Sequence, residues 1–186
     1  ISYGTMHGAS KGKGVKLRKE IAIAIKECMM HENLFGVLVS HGSSTVPGYI
    51  VEEINALGGN IQNAHGISIE ELKAAIPCGI GKINVDTDIR LAVTRNMKEY
   101  FAQHPEKRNS PSIGGVYQLL EEKREQFDPR AFLPPIMDTV MYGMVPDKDR
   151  AELVEVIEKG VKEAIGTLIV EFGSYGKAPL VEQVSL

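Results

Sequence analysis

The chain has 186 residues, 43% hydrophobic and 24% charged, with a formal net charge of −3. That is enough for one domain with a substantial core, and the balance is ordinary for a globular protein. The slight negative charge argues against a broad grip on nucleic acid or on an anionic membrane, and no apolar run approaches the ~20 residues of a membrane-spanning helix. Cys28 and Cys78 lie far apart and in no metal-binding spacing, so both are expected to be buried apolar fillers of a reduced, cytoplasmic protein.

Three segments share one grammar: a short apolar run, a tight polar or glycine-rich turn, then a helix. The first, Ile1 to Thr5, reads as a strand and leads into His7-Gly8 and a loop of Gly and Lys. Because the chain opens on what already reads as the end of a strand, further sequence is expected before it. A helix is predicted over about Leu17 to His31, with Ile21, Ile25 and Cys28 spaced for one face. The second strand, Gly36 to Ser40, runs into His41-Gly42-Ser43-Ser44. Pro47 suits a helix first turn and Gly58-Gly59 its end. After a Gly/Asn loop, Ser68 is predicted to cap a helix and Glu71 to complete a capping box for Leu72 to Ile76. The third strand, Gly81 to Val85, gives way to Asp86-Thr87-Asp88 and a helix carrying Leu91, Val93, Met97, Tyr100 and Phe101. Beyond it the pattern changes. Residues 105–126 are polar, with Asn109-Ser110-Pro111 and Gly114-Gly115. Ala131 to Tyr142 is helical with one apolar face, Asp149 to Phe172 makes a long amphipathic helix, and the end from Gly173 is loop.

Strands alternating with helices imply an α/β fold with a parallel sheet, whose chemistry sits at the C-terminal ends of the strands. Three units in series suggest part of a (β/α)8 TIM barrel. Three strands cannot close a barrel that needs about eight, a second reason to expect sequence upstream. On this reading residues 1–104 are the last three βα units of an incomplete barrel, 105–126 a surface insertion, and 127–186 a C-terminal helical extension of the same domain.

His7 and His41 each follow a strand and precede a glycine. Neutral imidazole is the commonest nitrogen ligand of zinc, and neighbouring strands would bring the two rings to one rim. Two unrelated histidines bonded to carbonyls would look the same, and two ligands are one short of a catalytic zinc site. His65 also precedes Gly but lies in a loop, and His31 and His104 end helices, where a histidine needs no function. Gly42-Ser43-Ser44 and Asp86-Thr87 are hydroxyl-bearing turns that suit phosphate oxygens, or that merely cap the helices after them. The Asp86 carboxylate would repel phosphate and better accepts from a sugar hydroxyl or backbone. Asn84 is placed to donate to a developing enolate oxygen. Gly8 to Gly14, with Lys11, is basic and glycine-punctuated: a phosphate-contacting loop or a solvated connection. Arg130, after Phe127-Asp128-Pro129, is either a bidentate phosphate ligand or half of a surface ion pair.

In order along the chain, these motifs resemble one family, the zinc-dependent class II fructose-bisphosphate aldolases. Gly4-Thr5-Met6-His7-Gly8-Ala9-Ser10-Lys11 resembles the stretch GTSHGAYK, and Leu38 to Ser44 with Val46-Pro47 resembles LVLHGSSxVP. Gly59 to Ile67 is similar to GGxIxNAxGV. Lys82 to Ala92 is nearly KINVDTDLRLA. Phe127 to Arg130 matches FDPR, and Phe172 to Ala178 resembles FGSAGKA. The resemblance implies a (β/α)8 barrel with its last three strands here. It implies that His7 and His41 bind zinc, and that Gly8, Gly42, Ser43, Ser44 and Thr87 hold one substrate phosphate near a monovalent cation (Na+ or K+), with Lys11 as a further phosphate contact. Asn84 and Asp86 would contact the dihydroxyacetone phosphate moiety. Arg130 would reach the other phosphate from a neighbouring subunit, so a homo-oligomer, dimer or tetramer, is expected.

The implied reaction is reversible cleavage of fructose 1,6-bisphosphate to dihydroxyacetone phosphate and glyceraldehyde 3-phosphate, with zinc as Lewis acid on the ketone carbonyl. The third zinc ligand and the proton-transferring acid and base lie earlier in the family's sequence, so this chain is expected to need an N-terminal half for activity. The chain departs from the family's pattern at Ser10, which stands where Tyr is usual, between His104 and Phe127, between Tyr142 and Phe172, and after Ala178. Rival readings are a tagatose- or sedoheptulose-bisphosphate aldolase, or a non-catalytic homologue that binds metal and sugar phosphate.

Overall fold

A computed structural model describes residues 1–8, 12 and 14–182 of the chain. Its described residues form a mixed helix and strand structure in the order α1 (Lys19–His31), β1 (Leu38–Ser40), α2 (Gly48–Ala56), α3 (Ile69–Ala75), β2 (Ile80–Ile83) and α4 (Thr87–Gln103). Then come α5 (Gly114–Glu122), α6 (Met137–Tyr142), α7 (Lys148–Glu171) and α8 (Ala178–Glu182). Strands β1 and β2 pair in parallel, with Leu38 opposite Ile80 and Ser40 opposite Ile83. Gly81 is the extra residue of a bulge, because Val39 stands opposite Lys82. Two parallel strands joined through helices are the βα grammar read from the sequence; among the described residues the sheet has two strands rather than three.

The expected first strand is the difference. Residues 1–5 are not in a strand. Ile1 N donates to Val39 O at 2.6 Å, so the segment does lie beside β1. Its next carbonyl, on Tyr3, is taken instead by Arg18 N at 2.8 Å, and Gly4 turns the chain at a φ of 104°. One bond is too few for a ladder.

Among the described residues the core falls into three buried clusters. One joins Tyr3, Leu38 and Ile80 to Ala22 of α1 and to Leu72 and Ala75 of α3. A second packs Ile50 and Ile54 of α2 on Leu91 and Ala92 of α4. The third, the largest, joins Val93, Met97 and Phe101 on the other side of α4 to Val116 and Leu120 of α5, Phe132, and Leu153 of α7. Helix α4 is thus covered on two sides, as its apolar positions require. In α7, Gly160 lies close against α4: a Cβ there would stand 2.9 Å from the Cα and N of Val93.

Three local readings need correction. The buried side of α1 is Ala22, with Ile21, Ile25 and Met29 half-buried against the core. Positions 21, 25 and 29 repeat every four residues, which leaves Cys28 exposed; Cys78 is half-buried, and both cysteines are free. Neither is a buried filler. The capping box is only half made: Ser68 Oγ accepts from Glu71 N at 3.2 Å, but the Glu71 carboxylate turns away and accepts from Leu17 N at 3.0 Å. Lys16 and Lys19 pair with it at 3.0 and 2.9 Å, and the bond from Leu17 together with the two ammonium groups draws the Glu71 pKa down to about 2. Residues 105–126 contain α5, and Ile113, Val116 and Leu120 recur at helical spacing beneath the polar composition and are buried. The short helix α8 stands where loop was expected. Among the described residues no helix is long and apolar enough to cross a membrane.

Two outcomes follow from this packing. Gly160→Ala is expected to push α7 off the α4 backbone and to lower unfolding free energy by about 1–3 kcal/mol in a denaturant titration of the full-length protein. Glu71 has a lowered folded-state pKa, so its contribution is complete above the ordinary carboxylate range and is lost as pH falls from about 4.5 towards about 2. Denaturant titrations across that window are expected to fall more steeply for the wild type than for Glu71→Gln.

Candidate functional site

The chain leaves both strands at the same end, and the residues that follow them line one cavity of about 240 Å³. Its walls are His7 and Gly8 from the first segment, His41, Gly42 and Ser44 after β1, and Asn84, Val85, Asp86 and Thr87 after β2. A larger cavity of about 550 Å³, between α2, α4 and α7, contains none of the candidate residues.

Backbone contact brings the two His-Gly turns together. Gly42 has a φ of +63°, and a Cβ on it would lie 2.8 Å from Met6 C and 3.1 Å from His7 N. Only glycine permits that approach in that conformation. After β2 the pairing extends by one residue, since Asn84 N donates to Ser40 O at 2.9 Å. This sets the Asn84 carboxamide beside the His41 ring, with Nδ2 and Nδ1 3.2 Å apart. If the amide is turned so that its oxygen accepts from Nδ1–H, His41 keeps Nε2 as a lone-pair donor; the opposite turn puts the proton on Nε2. The chemistry of the two imidazoles suits a divalent metal of borderline softness. Among the described residues, no cluster of three or more His, Cys, Asp or Glu could hold one without help.

The opposite wall is the start of α4. Asp86 does not cap this helix with its own side chain. Instead Ser44 Oγ, from the other loop, accepts from Asp86 N at 3.2 Å and Thr87 N at 3.1 Å. Accepting two N–H bonds polarises the Ser44 hydroxyl as a donor. The charge on Asp86 is balanced by Arg90, 2.6 Å away. Arg90 also pairs with Asp128 at 2.7 Å, and Asp128 with Arg130 at 2.6 Å. Four charges thus alternate from the cavity rim outwards. Arg130 holds the Asp128 pKa below the ordinary carboxylate range.

Of the residues singled out in the sequence, His7, Gly8, His41, Gly42, Ser44, Asn84, Asp86 and Thr87 share this cavity. Ser43 does not. Its side chain is fully buried, and its hydroxyl meets Ser40 Oγ at 2.6 Å and His41 O at 3.3 Å. Ser40 Oγ in turn meets Tyr3 Oη at 2.7 Å, a buried row of hydroxyls beneath His41. Arg130 stands outside the cavity, its side chain 72% exposed and paired with Asp128. His65 does not line the cavity. Lys11 lies outside the described residues.

Asp88 stands in the first turn of α4, two residues beyond Asp86. It is buried, and its carboxylate accepts from Thr45 N at 2.9 Å and from Thr45 Oγ1. Burial raises its pKa against the lowering effect of those donors. Nothing in the local spacing marks it, because its donors are in the other loop.

Residues 1–177 match the model of the family described as fructose-bisphosphate aldolase class-II. The chain belongs to that family. A fructose-bisphosphate aldolase of Giardia intestinalis is 36% identical over 147 residues, covering 78% of this chain and 39% of that protein. That of Thermus caldophilus is 33% identical over 178 residues, 96% of this chain and 44% of the relative. A third, from a Nostoc species, is 32% identical over 188 residues, 100% of this chain and 41% of the relative. The chain therefore spans about two fifths of the length of these relatives.

Gly42→Ala is expected to separate the two His-Gly turns. Unfolding free energy of the full-length protein, measured by denaturant titration, should fall by about 1–3 kcal/mol.

Proposed function

We propose that this chain is the C-terminal part of a metal-dependent aldolase that reversibly cleaves fructose 1,6-bisphosphate to dihydroxyacetone phosphate and glyceraldehyde 3-phosphate. Residues 1–104 are its last three βα units in a (β/α)8 barrel, and the helices of 127–186 extend the same domain. The observation that carries the reading is the convergence of two imidazoles, one carboxamide and a helix N-terminus on a single cavity at the strand ends.

Each wall has its own task. His7 and His41 hold zinc, with a third ligand from elsewhere in the protein. Bound there, the metal would supply Lewis acidity towards a ketone carbonyl. Asn84 orients the oxygen-bearing carbons next to that carbonyl, and its position beside His41 Nδ1 also steadies the ring. Gly8 and Gly42 offer backbone close to the ligand, Ser44 and Thr87 offer hydroxyls, and the positive end of α4 favours the phosphate charge. Lys11 adds a cation to the same phosphate, and a sodium or potassium ion sits nearby. Asp86, its charge balanced by Arg90, accepts from a substrate hydroxyl without repelling the phosphate. Arg130 reaches the second phosphate across a subunit boundary, which makes the working enzyme a homo-oligomer.

The test is cleavage of fructose 1,6-bisphosphate by the full-length protein. Activity should be abolished by chelator, restored by zinc, and reduced about a hundredfold or more in His41→Ala. A folded, zinc-loaded protein that cleaves no sugar bisphosphate would make the chain a metal- and phosphate-binding homologue instead.

A further inference from the structure

The loop between β1 and α2 contains a conformation its residues do not favour. Val46 has a φ of +50°. For a β-branched residue this left-handed conformation is a true outlier, and such strain persists only where the surroundings impose it. Here they do. Asp88, in the first turn of α4 and 3% exposed, presents both carboxylate oxygens to Thr45 N at 2.9 and 3.1 Å. It also accepts from Thr45 Oγ1 and, at 3.4 Å, from Val46 N. From behind, Ile67 N donates to Ser44 O at 3.1 Å.

The bonding is reciprocal. A side chain of the second loop, Asp88, grips the backbone of the first at Thr45 and Val46. A side chain of the first, Ser44, grips the backbone of the second at Asp86 and Thr87. Asp88 is absent from the wall of the histidine cavity and lines, with Thr45 and Val46, the larger one behind it, so its influence on the histidine cavity runs through the loop that carries Ser44.

We propose that Asp88 is the positioning residue of the phosphate-binding wall: its buried carboxylate holds Thr45 and Val46 in the strained conformation that keeps the Ser44 hydroxyl over the N-terminus of α4. This inference rests on the aldolase reading above and adds to it the group that sets the geometry of its anion site. An acid that merely favoured the helix dipole would not depend on the backbone conformation of Val46. A positioning residue would, because a glycine at 46 reaches the same φ without strain.

The experiment uses the full-length protein and inorganic phosphate as a competitive probe of the cleavage reaction. Asp88→Asn keeps the size of the side chain but turns an amide NH2 towards donors that need an acceptor. It is expected to raise KM and the phosphate inhibition constant about tenfold, with a smaller change in kcat. Val46→Gly added to Asp88→Asn should recover a substantial part of that loss. The proposal is overturned if Asp88→Asn folds, as judged by circular dichroism and melting temperature, yet leaves the phosphate constant unchanged, or if Val46→Gly recovers nothing. Should Asp88→Asn fail to fold, Thr45→Val removes one donor to the same carboxylate. A rise of a few-fold in the phosphate constant then supports the proposal and no rise overturns it. A wild type that neither cleaves substrate nor responds to phosphate sinks the aldolase reading, and the role of Asp88 with it. An active wild type with an indifferent Asp88→Asn variant sinks the positioning role alone.

Discussion

Helix α4 is the fixed part from which the rest of the site is built. One side of it packs on α2 and the other on α5 and α7, so its axis cannot shift without opening two buried clusters at once. Interiors are packed densely enough that such a shift would be costly. The helix N-terminus consequently points at one place, the end of β2, and the residues just before it inherit that placement. The loop after β1 is then referred to α4 by side chains rather than by its own secondary structure. A short, strained loop would otherwise be free to wander.

This arrangement divides the labour between scaffold and site. The sheet contributes few residues among those described, yet the Ser40 carbonyl carries the pairing on to Asn84, which places a carboxamide beside an imidazole. The contact of Gly42 with the backbone of Met6 and His7 does the same for the two histidines. Neither juxtaposition involves a long side chain with several rotatable bonds, so little conformational entropy stands between the folded state and a ready site. The charged residues are treated differently. Asp86, Arg90, Asp128 and Arg130 form a series, exposed at its two ends and half-buried in its middle, in which each charge has a neighbour of opposite sign, and at the exposed ends screening limits what any single pair contributes.

How much of this could be read from the sequence depends on range. The two strand ends, the helix starting at Thr87 and the long α7 follow from local pattern, and so do the site residues that stand directly after a strand. Cross-loop bonds do not. Ser44 reads locally as a cap for the helix after its own strand, but its hydroxyl serves the start of α4. Glu71 satisfies the motif for closing its own helix, but the carboxylate finds a better set of donors at Leu17, Lys16 and Lys19. Ser43 has the residue type of a phosphate ligand and the burial of a core residue. In α5 a polar composition hides an apolar stripe of three residues. In each case the deciding partner is distant in sequence, and a single chain read along its length contains no signal for it.

The row of hydroxyls beneath His41 has a direction. Ser43 Oγ can donate to the His41 carbonyl, and a hydroxyl has only one hydrogen to give. With its hydrogen on that carbonyl, Ser43 accepts from Ser40, and Ser40 from Tyr3; with the hydrogen on Ser40 instead, both directions reverse. In the first arrangement every proton in the row points towards the His41 carbonyl, and reversing any one of them would leave that carbonyl without this donor. The phenol of Tyr3 is sealed from water. Its hydroxyl hydrogen should trade places with solvent deuterium only when the strand ends part, which makes it a slow clock for the opening of this face of the protein.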